Sequence, residues 1–262
     1  DVHGGRLYRG GGNSGGGHGP AQGREDKVIS VKVPGRVGEE RPASHPSGGP
    51  DIRLVKRDRA GDRYVVTITR QFGSLGRPIA KRLSEILQVK YYDRDIVEET
   101  ARRMNLPVSA VSDREERSSG FFRMLFPLGT EAEEKQRQLF QVQSGIISRL
   151  AAKDSCIIVG RCADYVLAGE KHAIHVYIYA PYEARLSNCV GPLGMQEDTA
   201  RRMIREVDRA RLAYHRRFAH YAPDDPAHKH VIINSALLGV EGTARALAAL
   251  VGIRQEMGKT DR

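Results

Sequence analysis

A glycine-containing turn between two apolar segments is the first place where this sequence could do chemistry. Residues 64–83 have the pattern of a buried β-strand, a turn around Gly73 and Gly76, and an amphipathic helix. Glycine adopts positive φ without a Cβ clash, so such a turn can direct several backbone N–H groups, together with the positive end of the helix dipole, at one point. The pattern therefore predicts an anion-binding loop, with a strand-turn-helix that binds nothing as the alternative.

The segment agrees only in part with the usual phosphate-binding pattern of Gly, four residues, Gly-Lys-[Ser/Thr]. Gly76 fits the second glycine, Arg77 takes the place of the lysine, and Gln71 stands where the first glycine belongs. Arg77 can still neutralise a phosphate, since its guanidinium offers a planar fork of donors. Arg70, at the end of the predicted strand, is a second candidate phosphate ligand.

The hydroxyl that holds Mg²⁺ in such loops is missing from its usual position. Pro78 and Ile79 follow Arg77, and Pro78 suits the first turn of a helix. Ser74 and Thr69 are displaced candidates for a metal-binding hydroxyl. A zinc site is not predicted, because the nine histidines show no paired spacing that suggests zinc.

Further arginines could complete a phosphate site. Arg161 follows a continuous apolar run at 155–159, which is typical of a strand covered on both faces, and it could clamp a phosphate or form a surface ion pair. The predicted helix at 196–221 has an apolar seam and seven arginines, which are Arg201, Arg202, Arg205, Arg209, Arg211, Arg216 and Arg217. A hinged arginine helix can close over a cleft and stabilise phosphoryl transfer. A solvated basic helix paired with Glu206 and Asp208 is the alternative.

Two carboxylates and one thiol have alternative roles. Asp93 could orient a substrate hydroxyl, hold Mg²⁺ through water, or cap the helix predicted at 94–104. Asp164, four residues beyond Gly160, is ambiguous in the same way. Cys162 could be a nucleophile, but no histidine is near it in sequence to activate it, which favours a small buried thiol.

These residues must be positioned by alternating strands and helices. Strands are predicted after residue 64 and at 90–93, 155–159, 173–180 and 230–234. Helices are predicted from 79 to 87 and at 94–104, 131–152, after Pro181, at 196–221 and at 240–251, with a mobile aromatic flap at 112–130. This alternation predicts an α/β fold with a parallel sheet. Because such sheets bind ligands beyond the carboxyl ends of their strands, the candidate residues should converge on one cleft.

Composition divides the chain before the first strand. Half of its 28 glycines fall within residues 1–50, a composition that buries too little to order a chain. We therefore predict a disordered tail at 1–60, one domain at 61–255 with a lid at about 190–221, and a flexible C-terminus at 256–262. The net charge is +10, of which about +6 belongs to the domain, and its clustered arginines favour a nucleotide over a nucleic-acid polymer.

Targeting signals and cysteines bear on location. The sequence has no apolar run of about 18 residues and no secretory signal at its N-terminus, which predicts no membrane association. It begins with Asp, so a processed or truncated product is expected. Three cysteines without metal spacing favour a reducing, cytoplasmic compartment. The oligomeric state is left open.

Six motifs in order resemble the cytidylate kinase-like family, which is related to bacterial cytidylate kinase within the P-loop nucleoside monophosphate kinases. They are TITRQFGSLGRPI (67–79), YYD (91–93), IVGRCAD (158–164), YAPYEAR (179–185), EVDRAR (206–211) and IINSALLG (232–239). The resemblance covers about residues 64–252. It implies a three-layer P-loop kinase-type fold with a five-stranded parallel sheet, helices on both faces and an arginine-rich helical lid.

The resemblance also implies a reaction and a set of site residues. The reaction is phosphoryl transfer from ATP, with Mg²⁺, to CMP or dCMP. Residues implied for the ATP phosphates are Arg70, Gly73, Ser74, Gly76 and Arg77. For the substrate it implies Arg161, beside which Asp93 and Asp164 are candidates by their positions; for catalysis the candidates are Arg77, Arg205, Arg209 and Arg211, with Asp208 positioning the lid arginines.

The sequence departs from the family where cytidylate kinases have Gly-Arg-Asp. Here Cys162 follows Gly160 and Arg161, so a carboxylate that faces the ribose or base is missing. Alternatives to a cytidylate kinase are therefore a kinase of another small acceptor, and a nucleotide-binding regulator without turnover. A basic nucleic-acid module is a weaker alternative.

Overall fold

Five parallel β-strands form the sheet on which the candidate residues lie. The computed structural model describes residues 63–105 and 130–260; the predicted tail and almost all of the predicted flap lie outside these ranges. The strands are β1 (Val65–Arg70), β2 (Lys90–Tyr92), β3 (Cys156–Val159), β4 (Ala173–Tyr179) and β5 (Val231–Asn234). Their order is β2-β3-β1-β4-β5, with every neighbouring pair parallel. The predicted α/β fold with a five-stranded parallel sheet is confirmed.

Helices connect the strands. They are α1 (Gly76–Leu87), α2 (Arg94–Arg103), α3 (Thr130–Lys153), α4 (Ala163–Val166), α5 (Tyr182–Val190), α6 (Glu197–Ala219) and α7 (Ser235–Thr260), with a 3₁₀ turn at Pro226–His228. The sequence did not predict α4 or the 3₁₀ turn, because each is too short to show a helical period. It also predicted the last helix from 240 to 251, whereas α7 starts at Ser235, departs from helical geometry at Gly239 and continues to Thr260.

Alternate residues of β1 enter two separate cores, one on each face of the sheet. Val66 packs with Leu83 of α1 and Leu247 of α7 on one face, whereas Val65 packs with Ile146 of α3 on the other. Burying each such side chain contributes about 1.5–3 kcal/mol. This alternation follows from the period of two in a strand, and it confirms that helices cover both faces.

A third cluster joins the turn after β1 to α5 and α6. Phe72 of the turn packs with Leu186 and Cys189 of α5 and with Met203 and Val207 of α6. The predicted apolar seam of the arginine helix is therefore real, and it is directed at the turn. This packing brings α6 against the carboxyl end of β1.

The last helix has an apolar composition for a different reason. Over the described residues, α7 is the single helix whose length and apolar composition would suffice to cross a membrane. One of its faces, however, is buried in the same core as Val66, which we call the main core, through Ala244, Leu247, Ala248 and Val251. The apolar character of α7 is thus accounted for in part by packing against α1 and the sheet.

Candidate functional site

The turn after β1 has the backbone geometry of an anion-binding loop. Gly73 has φ of 76° and Leu75 has φ of 58°, and α1 begins at Gly76. No side chain caps the N-terminus of α1, and its first turn contains no acidic residue. The first N–H groups of a helix have no partner within the helix, so this end of α1 presents donors and a positive dipole to an anion.

Close packing from α5 explains why residue 73 is a glycine. A Cβ at Gly73 would lie 2.8 Å from the carbonyl oxygen of Arg185 and 2.9 Å from Sγ of Cys189. In addition, Asn188 Nδ2 donates a hydrogen bond of 2.9 Å to the carbonyl oxygen of Gly73. The loop is therefore held in place from the side of α5, which pre-organises it.

The Ser74 hydroxyl is directed into the protein. The residue is fully buried, and its Oγ lies 2.9 Å from the carbonyl oxygen of Gln71 and 3.2 Å from that of Ile178. Ser235 Oγ in turn donates to the Ser74 carbonyl oxygen at 2.8 Å. A contribution of Ser74 to a phosphate site would thus come from its backbone N–H, since its hydroxyl faces backbone acceptors.

Arg70 joins the ends of three strands. A Cβ at Gly76 would lie 2.7 Å from Cγ of Arg70, and a Cβ at Gly160 would clash with the Arg70 guanidinium. Nη2 of Arg70 lies 4.0 Å from Oδ1 of Asp93. Two glycines are therefore needed to let this side chain reach across the carboxyl edge of the sheet from β1 towards β2 and β3.

Asp93 is a buried carboxylate at the end of β2. Its Oδ2 accepts hydrogen bonds from Arg77 Nε at 2.5 Å and from the Tyr91 hydroxyl at 3.1 Å. Burial and this carboxylate raise the pKa of Tyr91. Its Oδ1 has no hydrogen-bond partner among the described residues, and the side chain does not cap α2. The alternative capping role is therefore wrong; instead, Asp93 pairs with the arginine at the lysine position of the loop.

Two residues of α6 contact the loop. Asp208 Oδ1 accepts a hydrogen bond of 2.8 Å from the backbone N–H of Phe72, and Oδ2 pairs with the buried guanidinium of Arg185. Arg211 Nη1 donates to the carbonyl oxygen of Arg70 at 3.2 Å. The arginine helix therefore packs directly on the glycine loop, whereas their common role in ligand binding stays a prediction.

The other two predicted lid arginines are not part of this contact. Arg205 and Arg209 are exposed, and neither has a hydrogen bond or ion pair with the part of the chain that the structure describes. Their roles in catalysis stay predictions that require a ligand or a movement of α6. Arg211 is the member of the predicted set that the structure brings to the loop.

Arg161 lies in a turn of unusual backbone geometry at the end of β3. Gly160, Arg161 and Cys162 have φ of 75°, 60° and 51° in succession. Residues other than glycine seldom adopt such angles, and they cluster at ligand sites, where the surrounding structure imposes them. The turn places Arg161 next to the strand end that Arg70 reaches.

Asp164 belongs to a buried network instead of the cleft. It is 1% exposed, and its Oδ2 accepts hydrogen bonds from His215 Nε2 at 3.1 Å, from Tyr221 at 3.2 Å and from Lys229. Burial favours the neutral acid, but His215 and Lys229 outweigh it and hold the pKa of Asp164 below its usual range. Its predicted role as a substrate ligand has no support in these surroundings, because the turn directs the side chain inward.

Cys162 takes part in the same network. Its Sγ lies 3.3 Å from Nδ1 of His215, so the tertiary structure supplies the histidine that the sequence did not show near it. Burial raises the pKa of the Cys162 thiol well above its ordinary value, which makes it a poor nucleophile. The prediction of a buried thiol therefore fits its surroundings.

Arg185 is the functional candidate that residue-level reasoning missed. It is only 9% exposed, and Nη1 also donates to the carbonyl oxygen of Phe72 at 3.3 Å. A signal was available, since Arg185 shares the buried side of α5 with Leu186 and Cys189. An arginine on the apolar side of a helix requires a buried acceptor, and Asp208 supplies it.

The charges around the loop favour an anionic ligand. Four guanidinium groups and two carboxylates meet here, namely those of Arg70, Arg77, Arg185 and Arg211 and those of Asp93 and Asp208. The excess of positive charge adds to the dipole of α1, so the site can hold phosphate groups and stabilise charge that develops on them.

The side chains around the loop offer few ligands for a metal ion. Among the described residues, no group of three or more His, Cys, Asp or Glu could hold one. Pro78 has no hydroxyl, and the hydroxyl of Ser74 faces backbone carbonyls. The residues therefore do not fit a protein-held Mg²⁺ with several side-chain ligands.

Solved structures are similar to this chain at low sequence identity. A crystal structure of an uncharacterized protein from Eubacterium ventriosum has 20% identity and a TM-score of 0.56, and the alignment covers 72% of this chain and 99% of that one. Shikimate kinase from Acinetobacter baumannii, in complex with shikimate, has 14% identity and a TM-score of 0.39, and the alignment covers 76% of this chain and 94% of that one. Shikimate kinase from Bacteroides thetaiotaomicron has 12% identity and a TM-score of 0.45, and the alignment covers 72% of this chain and 98% of that one.

Sequence comparison assigns the family. A search of curated proteins finds no significant match to this chain. The model of the cytidylate kinase-like family, by contrast, matches residues 65–237, which is more than half of the chain and includes the glycine loop, the Asp93 strand end, the Arg161 turn and α6. This chain, with its glycine loop, arginines and five-stranded parallel sheet, therefore belongs to the cytidylate kinase-like family and has an α/β fold of the P-loop kinase type.

Proposed function

We propose that this protein transfers the γ-phosphoryl group of ATP to a nucleoside monophosphate, with CMP or dCMP as the acceptor. Membership of a kinase-like family supports nucleotide-dependent phosphoryl transfer, and the choice of CMP or dCMP is part of the proposal. The observation that carries it is the uncapped N-terminus of α1 beside Arg70, Arg77 and Arg211, with buried Asp93 at the adjacent strand end.

In this proposal the ATP phosphates lie on the loop at Gly73–Gly76, where the backbone N–H groups of the first turn of α1 are their donors. The base extends towards the first turn of α7, because Ser235 is hydrogen-bonded to the Ser74 carbonyl oxygen. Leu237, in the same turn of α7, is 78% exposed and offers an apolar surface for a planar ring.

The acceptor lies at the ends of β2 and β3. Arg161 meets its phosphate, and Oδ1 of Asp93 accepts a hydrogen bond from a ribose hydroxyl or an exocyclic amine. Cys162 stands where cytidylate kinases have a carboxylate, but it is 3% exposed with its sulfur towards His215. Asp93 is therefore the carboxylate proposed to orient the acceptor.

Phosphoryl transfer requires positioning and charge stabilisation more than covalent chemistry. Arg77 and Arg70 neutralise charge on the transferred group from the side of the loop, and Arg211 does so from α6. In this proposal α6, which contacts the loop through Asp208, shields the bound phosphates from water. Mg²⁺ would arrive bound to the phosphates of ATP and reduce their charge, since residues 63–105 and 130–260 offer no ligand set of their own.

A kinase assay with matched arginine variants tests the proposal. ADP formation from Mg²⁺-ATP should depend on CMP or dCMP, and Arg77→Ala should lower kcat by about 10²-fold or more, because it removes charge stabilisation of the transition state. Arg82→Ala is the control: Arg82 is also on α1, but it is exposed and pairs with Glu241. The proposal is wrong if no nucleoside monophosphate raises ADP formation above the rate without acceptor.

Two features of the loop favour a second candidate function, that of a nucleotide-binding regulator without turnover. Arg77, at the lysine position, is paired with Asp93, and Pro78 provides no hydroxyl. A regulator would bind ATP or CMP in calorimetry without forming product. A kinase of another small acceptor would instead form ADP with a molecule outside the nucleotide panel.

A further inference from the structure

The solvent face of α7 has an apolar surface that the proposed function does not use. Ile253 and Met257 are 59% and 58% exposed, and Ala246 and Ala249 are also exposed. The opposite face of the same helix is buried in the main core. This surface therefore lies on a rigid element, since one side of the helix is fixed to the sheet.

Six residues define the centre of this face. At 3.6 residues per turn they fall within an arc of about 120°. We call them the α7 seam: Arg245, Ala246, Ala249, Gly252, Ile253 and Glu256. The middle of the seam is small and apolar, and one charged residue lies towards each end, positive before the middle and negative after it.

The order of charges makes the seam complementary to itself. If a second α7 runs antiparallel across the first, with the two-fold axis between residues 250 and 251, Ala249 lies opposite Gly252 of the second copy. The same axis places Arg245 of each copy opposite Glu256 of the other copy. Small residues at the crossing point allow the helix axes to approach closely, and the isologous contact forms each charge pair twice.

We propose that two copies of this chain associate through the α7 seam as an antiparallel helix pair. Ile253 of each copy packs beside Ala249 and Gly252 of the other, and the paired charges set the register. A lipid surface is a poorer occupant, because Arg245 and Glu256 lie on the same face as Ile253 and would have to enter the apolar phase. The inference does not depend on the proposed reaction.

Analytical ultracentrifugation of the full chain tests the association. The protein should sediment as a dimer of the 29.0 kDa chain and dissociate on dilution. Arg245→Glu and Glu256→Arg should each raise the dissociation constant by about tenfold or more, because each change places two like-charged pairs across the contact. Ala249→Lys, at the crossing point, should give monomers.

Mixing the two charge variants separates pairing from misfolding. When the Arg245→Glu and Glu256→Arg proteins are mixed, they should form a heterodimer, because both charge pairs across the contact are then of opposite sign. A protein that carries both substitutions should form a homodimer for the same reason. Arg137→Glu, on α3 at the other face of the sheet, should leave the dimer unchanged. The proposal would be overturned if the wild-type protein were monomeric at every concentration tested, or if mixing the two charge variants did not restore a dimer. Flotation with phosphatidylglycerol vesicles that Ala249→Lys abolishes would also overturn it, because a membrane would then be the partner.

Discussion

Replacing Lys229 by Met tests whether the buried network around Asp164 stabilises the fold. The Lys229 and Asp164 side chains are 0% and 1% exposed, so the substitution leaves a buried carboxylate without its ammonium partner. Removing one member of a buried ion pair costs about 3–5 kcal/mol. Because His215 and Tyr221 still donate to Asp164, we expect a loss near the lower limit, about 3 kcal/mol.

Urea unfolding at pH 7 followed by circular dichroism measures this loss as a lower midpoint. Arg82→Ala is the matched control, because its ion pair with Glu241 is exposed on both sides and should change the midpoint little. A double variant, Lys229→Met with Asp164→Asn, should recover part of the stability, since the uncompensated charge is gone.

The pH dependence has a defined sign. The pKa of Asp164 is lower in the folded protein than its ordinary value, so its stabilisation is present above about pH 4 and is lost as the pH falls. The deficit of Lys229→Met should therefore shrink in acid. If Lys229→Met at pH 7 were as stable as Arg82→Ala, the ammonium would not be a partner of Asp164 and the network would not have the assigned role.

Two further changes test the loop and the sheet. Gly73→Ala adds a Cβ 2.8 Å from the Arg185 carbonyl oxygen at φ of 76°, so it should destabilise the protein by about 1–3 kcal/mol and weaken ATP binding in calorimetry; unchanged affinity would contradict the loop assignment. Burial and the charge of His230 lower the pKa of His175 to about 4, so the free energy of unfolding should fall as the pH drops from 6.5 to 4, because the unfolded chain binds the proton first. His175→Gln should flatten this slope in urea titrations across that range, and parallel slopes would show that another group is responsible.

The loop and the sheet were predictable because their patterns are local. The apolar run before Gly73 and the amphipathic run after Gly76 marked β1 and α1, and both are present close to the expected bounds. Alternation of strands with helices predicted a parallel sheet, whose carboxyl edge then gathers Arg70, Arg77 and Asp93 without any knowledge of side-chain contacts. The resemblance added the family.

The sequence could not determine which way side chains turn after the strands end. Cys162 and Asp164 follow β3 closely, yet both side chains are buried and contact His215, which is 53 and 51 residues away in sequence, respectively. Pairings over such distances leave no trace in local periodicity. Asp93 was left open between capping and ligand binding for the same reason, since its partner Arg77 is on another element.

Local residue patterns were thus sufficient for most of the secondary structure, the parallel sheet and the position of the glycine loop, because strand and helix periods and glycine turns depend on neighbours in the chain. Only the packing of α5 and α6 on that loop selected Arg211 over Arg205 and Arg209 as a contact, and only it paired Arg185 with Asp208. The physical reason is that a charged side chain is directed by the nearest opposite charge in space, and that neighbour is determined by the tertiary fold.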